Sequence, residues 1–123
     1  MRYKGAYRMI KNFQCVNISS KDPKALADFY TAIGAPVSVE DGCYDGWNIG
    51  SPDKGGYVCC WDENRWGKST AGFVTIVLNC DDVQRTYEEI RAKGFDIDPP
   101  RTAEWGGKEL TFKDPDGNIV MIL

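Results

Sequence analysis

A chain of 123 residues, 42% apolar and 27% charged, is ordinary globular material: long enough for one domain or two small modules sharing a core, too short for two independent domains. A net charge of −3 without a basic run offers no electrostatic footprint for a nucleic acid or an anionic membrane, and neither Met1 to Lys11 nor any later stretch has the apolar run of a signal peptide or a membrane span, so the expected location is the cytoplasm. Histidine is absent, which removes histidine metal sites, Ser-His and Cys-His nucleophile pairs and a histidine general base, while five cysteines with no C-x-x-C spacing fit reduced thiols rather than a disulfide framework.

Asn12 to Ser20 alternates, with Val16 and Ile18 on one face and Cys15, Asn17 and Ser19 on the other, as a half-buried strand does. Asp22 then supplies an N-cap and Pro23 a first helical position. Ala25, Leu26, Phe29, Tyr30 and Ile33 recur at helical spacing until Gly34. From Pro36 to Trp61 glycines and a proline cut the chain into three short strands, Val37 to Val39, Tyr44 to Ile49 and Tyr57 to Trp61. A polar connection, about 63–70, separates a first module (about 11–62) from a second (about 71–123).

The pattern then restarts. Phe73 to Asn79 alternates, with Thr75 and Val77 opposite Val74, Ile76 and Leu78. Asp82 caps a helix carrying Val83, Tyr87 and Ile90 inward, with Glu89 and Lys93 expected to pair outside, up to Gly94. Asp22 and Asp82, like Gly34 and Gly94, stand at one constant spacing, which marks an internal repeat. After Pro99-Pro100 come two hairpin arms, Leu110 to Phe112 and Ile119 to Leu123, joined by Asp114-Pro115-Asp116-Gly117-Asn118. In that turn proline presets φ, glycine admits a positive φ, and the Asp and Asn side chains bond local backbone.

A Phe-x-Asp-Pro-Asp-Gly-Asn turn before a closing apolar strand resembles the end of a module in the vicinal oxygen chelate superfamily, which includes glyoxalase I, extradiol dioxygenases and bleomycin-resistance proteins. With Val16 to Pro23 and Phe29-Tyr30 in the first half, and Cys80 to Val83 in the second, the resemblance covers almost the whole chain. It implies an α+β fold, two βαβββ modules forming a curved mixed sheet around a cavity, commonly as a homodimer.

The resemblance also implies four metal-ligand positions, one on the first and one on the last strand of each module. They fall on Cys15, Thr75, Met121 and, by the repeat spacing, Trp61, or Cys59 if the register differs by two residues. Threonine, methionine and tryptophan do not hold a hard divalent ion, so the expectation is a copy without metal or other cofactor. Cys15, Cys59 and Met121 could offer soft ligands; the alternative is that these sulfurs are apolar wall atoms. The remaining wall would comprise Asn17, Thr75 and Glu109 as polar anchors, with Val77 and Thr111 beside them. Trp47 and Trp105, next to glycines, could stack on a planar ligand or fill a core or an interface.

Glu109 has two possible roles: a general base if an apolar cavity raises its pKa, or an anchor for a ligand cation or for Lys108 or Arg101. The resulting expectation is a metal-free small-molecule binding protein of the bleomycin-resistance type that sequesters or carries a planar or aromatic compound. The competing expectations are a glyoxalase-like lyase or isomerase, metal-dependent or using Glu109, and a protein-interaction module without a small ligand. Adjacent Cys59 and Cys60 are expected on opposite faces, one thiol in the cavity and one in the core.

Overall fold

The computed structural model describes residues 9–123, so most of the N-terminal stretch read above for a signal peptide lies outside the described residues. The elements run β1 (Cys15–Ser20), α1 (Pro23–Ala32), β2 (Val37–Glu40), β3 (Cys43–Ile49), β4 (Tyr57–Asp62), α2 (Glu63–Trp66), β5 (Thr75–Leu78), α3 (Val83–Ala92), β6 (Arg101–Thr102), β7 (Lys108–Lys113) and β8 (Ile119–Ile122). Each βαβββ module builds one four-stranded sheet, ordered β1-β4-β3-β2 and β5-β8-β7-β6. First and last strands of a module pair in parallel and the others antiparallel, so both sheets are mixed. No helix among the described residues is long and apolar enough to cross a membrane.

The helices start where the capping residues say they should. Asp22 accepts a hydrogen bond from the backbone N–H of Ala25 at 3.0 Å, and Asp82 accepts one from that of Arg85 at 3.0 Å, each satisfying a donor that the first helical turn leaves free. Leu26, Ala27 and Tyr30 of α1 are buried, as is Ile90 of α3. They meet Ile18, Trp47 and Cys60 from the first sheet and Ile76, Leu110, Val120 and Ile122 from the second in one continuous core. Phe29 closes the seam with edge contacts to Phe95 at 5.5 Å and Phe112 at 6.2 Å.

The hairpin turn does more than reverse the chain. Asp114, buried, accepts from the Tyr30 hydroxyl at 2.7 Å, the Asp116 and Asn118 N–H groups at 2.9 and 3.0 Å, and Asn118 Nδ2 at 3.1 Å. Asn118 in turn accepts the Gly72 N–H at 2.9 Å. A helix of the first module, the turn of the second and the entry to β5 are thereby joined through one buried carboxylate. The polar connection is pinned too, because Ser19 donates through Oγ to the Lys68 carbonyl at 2.6 Å and Thr70 Oγ1 accepts the Ser19 N–H at 2.9 Å.

Three expectations are corrected here. Trp47, named as a ring that could stack on a ligand, takes the alternative role instead: only 1% of it is accessible, and it packs in the core near Tyr30, with ring centroids 6.2 Å apart. Its position in β3 opposite Cys60 turns it to the helix side. Glu89 pairs with Arg85 at 3.3 Å instead of with Lys93, whose ammonium reaches the Ala32 carbonyl at the end of α1 at 2.6 Å. A helix C-terminus presents unpaired carbonyls and a negative dipole end, which draws that cation across the module seam. Val16 shares the inward parity of Ile18 yet stays exposed, since it lies toward the open start of β1.

Candidate functional site: two open sheet faces

One face of each sheet is consumed by the shared core, leaving the opposite face open. On the first sheet that face carries Cys15, Asn17, Cys59 and Trp61; on the second, Thr75, Val77, Ile119, Met121 and Thr111. The structure thus divides the anticipated wall residues between two sheets.

Strand pairing resolves the register left open by the sequence. Cys15 lies opposite Tyr57 and Asn17 opposite Cys59, while Thr75 lies opposite Ile119 and Val77 opposite Met121. Cys59, not Trp61, therefore corresponds to Met121, because the last strands of the two modules stand two residues further apart than the first strands do, the extra residues lying between α3 and β7. Cys60 points into the core and Cys59 to the open face, as alternation demands.

The four positions do not fit the divalent ion that the family resemblance implies. Burial, with a smaller contribution from nearby Cys15, pushes the Cys59 thiol up to about 11, which keeps it protonated, and its Sγ lies 3.6 Å from the Gly46 carbonyl. Cys15 Sγ rests 3.7 Å from Asn17 Oδ1, and the other two positions supply a hydroxyl and a thioether from the other sheet. Among the described residues no three His, Cys, Asp or Glu side chains converge as a metal cage. A hard Lewis acid needs anionic oxygen or imidazole donors, and these four side chains supply neither.

On the first sheet a cavity of about 290 Å³ is lined by Glu40, Cys43, Asp45, Gly46 and Asn48 among others. Trp61 lies against Gly46, where an added Cβ would come within 2.9 Å of the ring. The Arg65 guanidinium stands 5.4 Å from the Trp61 ring centroid and is ion-paired with Asp45, which also accepts the Asp62 N–H at 2.9 Å. This pairing holds the Asp45 carboxyl below the usual range and keeps Arg65 charged. Sequence reasoning missed both residues, since nothing in Asp45 or Arg65 taken alone marks a partner twenty positions away.

On the second sheet Glu109 is buried and accepts from Arg101 Nε at 2.9 Å, so its carboxylate is committed to a partner on β6. A cavity of about 300 Å³ is lined by Arg101, Thr111, Phe112, Lys113, Ile119 and Met121. Another, of about 380 Å³, shares Arg101 and is edged by Glu104, Trp105 and Glu109; Trp105 is 64% accessible and lies over Gly107. A groove of about 360 Å³ between the end of α1 and α3 holds Val77 alone of the anticipated wall residues.

Comparison with known proteins agrees with this architecture. The bleomycin resistance protein of Klebsiella pneumoniae is 24% identical over 115 residues, covering 87% of each chain. The uncharacterized protein YetH of Bacillus subtilis is 37% identical over 49 residues, a stretch spanning 39% of this chain and only 40% of that protein. Among solved structures, TnmS3, an antibiotic binding protein from Streptomyces sp. CB03234, superposes with a TM-score of 0.70 at 20% identity, covering 94% of this chain and 97% of the other. At that identity the likeness establishes the fold alone. The family profile described as Glyoxalase/Bleomycin resistance protein/Dioxygenase superfamily matches residues 12–122, and with the paired βαβββ modules this places the chain in that superfamily.

Proposed function

We propose that this protein binds a small planar or aromatic compound without a metal, in the cytoplasm and as a homodimer, sequestering or carrying the compound as bleomycin-resistance proteins do. The observation that carries this reading is the pair of open sheet faces. The second bears exposed apolar side chains, Val77 and Ile119 with Phe73 at the strand entrance, next to the small polar anchor Thr75, and the first carries Asn17, while the positions a metal enzyme would use hold Cys15, Cys59, Thr75 and Met121. An apolar wall with few polar groups suits a ligand retained by desolvation and oriented by hydrogen bonds. A second copy laid over these faces would roof them, which supports the homodimer.

Trp61, Trp105 and Glu109 contribute the aromatic and polar rim and Met121 the apolar wall of the site in this reading. The Glu109–Arg101 pairing favours an electrostatic role for Glu109 over that of a general base.

The test is elemental analysis of protein purified without chelator or metal-affinity resin, followed by thermal-shift screening of planar compounds. The expected result is transition metal near zero per chain, unchanged after incubation with zinc, manganese, nickel or iron(II), with stabilisation by some planar compounds. A tightly held ion lost in Cys15→Ser or Met121→Ala would overturn the reading.

A further inference from the structure

Resting on that binding reading, we propose that the open face of the second sheet selects ligands that carry an anionic group, a carboxylate above all, on a planar apolar body. The reason lies in which charges on this face are already spent. Glu109, the acid that would anchor a ligand cation, is buried and bonded to Arg101 Nε at 2.9 Å, so it offers no unmatched negative charge. Arg101 is bonded through Nε only. Its side chain is 69% accessible, and its two terminal nitrogens make no hydrogen bond among the described residues. Glu109 thus acts as a positioning residue, holding the guanidinium by one corner and leaving the other edge turned outward.

Lys113 lines the same cavity of about 300 Å³ and forms no ion pair among the described residues. Met121 and Ile119 supply the apolar floor and Thr111 a hydroxyl, and no carboxylate lines this cavity. The neighbouring cavity that Arg101 shares is lined by one acid not bonded to it, Glu104. With Arg101's charge balanced by Glu109, the unmatched cation over this apolar floor is Lys113, and Arg101 adds its free terminal N–H donors, on a chain whose net charge is −3. A guanidinium edge with two parallel N–H donors matches a carboxylate in a bidentate arrangement, and a flexible ammonium adds charge without demanding geometry.

Three probes of one shape separate the cases: 2-naphthoate, 2-naphthylmethanol and 2-naphthylmethylammonium, titrated calorimetrically into the full chain at low and high salt. The expected order is anion tightest, neutral next and cation weakest, with about tenfold between anion and cation and a loss of anion affinity as salt rises. Lys113→Gln, at an exposed position, is expected to weaken naphthoate by about threefold to tenfold and leave the alcohol unchanged. Arg101→Gln strips Glu109 of its partner and endangers the fold, so Arg101→Lys, which keeps the charge and loses the fork, is the informative change; it too should weaken naphthoate selectively.

Equal or tighter binding of the ammonium overturns the inference, as do Lys113→Gln and Arg101→Lys variants that bind naphthoate as well as the parent does, and either result leaves small-molecule binding intact. Failure of all three probes to bind would instead count against the binding reading and overturn this inference with it.

Discussion

Replacing Tyr30 by Phe removes one oxygen from the joint between the modules and tests whether that joint holds the fold together. The hydroxyl is fully buried and donates to Asp114 Oδ2 at 2.7 Å, a short contact to a buried carboxylate. Hydrogen bonds to charged groups contribute about 1.5–3 kcal/mol. Asp114 keeps three donors in the variant, the N–H groups of Asp116 and Asn118 and the Asn118 amide, so the carboxylate is weakened rather than abandoned. The lower half of that range applies, about 2 kcal/mol, or a fall of roughly 6–10 °C in Tm for a domain of this size. Asp114→Ala strands the phenol, two backbone N–H groups and an amide together and should cost about 4 kcal/mol or more.

Urea unfolding followed by far-ultraviolet circular dichroism and by tryptophan fluorescence supplies the measurement, with Tyr30→Phe, Asp114→Asn and the double variant forming a cycle. A coupling energy of about 1–2 kcal/mol is expected, with both probes giving one transition, because the bond joins α1 to the second module. If the two losses add to within about 0.3 kcal/mol, or Tyr30→Phe unfolds at the parental urea concentration, the joint described above is not a significant source of stability.

The buried thiols give a prediction with a definite sign. Burial raises Cys59 to about 11 and Cys60 to about 12, whereas the same thiols in an unfolded chain ionise near 9. The folded state therefore holds its protons longer, and the stabilisation, complete below about pH 9, is lost as pH climbs toward 12. The urea midpoint should drop between pH 8.5 and 10.5 by roughly the amount two shifted thiols can supply, and the drop should shrink in Cys59→Ala; a midpoint that holds steady or rises across this interval contradicts the burial argument. Gly46→Ala combines a φ of +104° with a Cβ 2.9 Å from the Trp61 ring. It should cost about 1–3 kcal/mol and shift the Trp61 indole resonance, and an unaltered spectrum would show that the ring does not rest on Gly46.

Much of the fold was legible because its signals are local. Asp22 and Asp82 cap, Gly34 and Gly94 follow the helices, and the proline-glycine turn announces the hairpin, so element order and type could be read without tertiary contacts. Observed strands are shorter than the alternating patterns at Asn12 to Ser20 and Phe73 to Asn79, since alternation persists beyond the last ladder bond. What escaped depends on facing. Trp47 sits between Gly46 and a polar residue, as a surface ring might, but its orientation follows from the pairing of β3 with β4, beside a bulge where the β2–β3 register slips between Ser38 and Glu40. The Lys93 contact with Ala32 likewise depends on the two modules meeting, which no helical periodicity encodes.

The site was legible to the same extent and for the same reason. Cys15, Thr75 and Met121 follow from a motif and a spacing, whereas choosing Cys59 over Trp61 required the extra residues ahead of β7, visible only in the ladder. This bears on how far the chain stands from metal chemistry. Restoring a carboxylate at one position, as in Met121→Glu, would set it in the cavity that Arg101 and Lys113 line, where ion pairing competes with any metal. Its counterpart in the other module, Cys59, is buried against the Gly46 carbonyl, where a longer anionic side chain would have to leave water and displace its neighbours. Changes at single ligand positions therefore meet ion-pairing partners in one module and buried surroundings in the other. On this reasoning the surroundings, as well as the four side chains, favour a binding role for this copy of the fold.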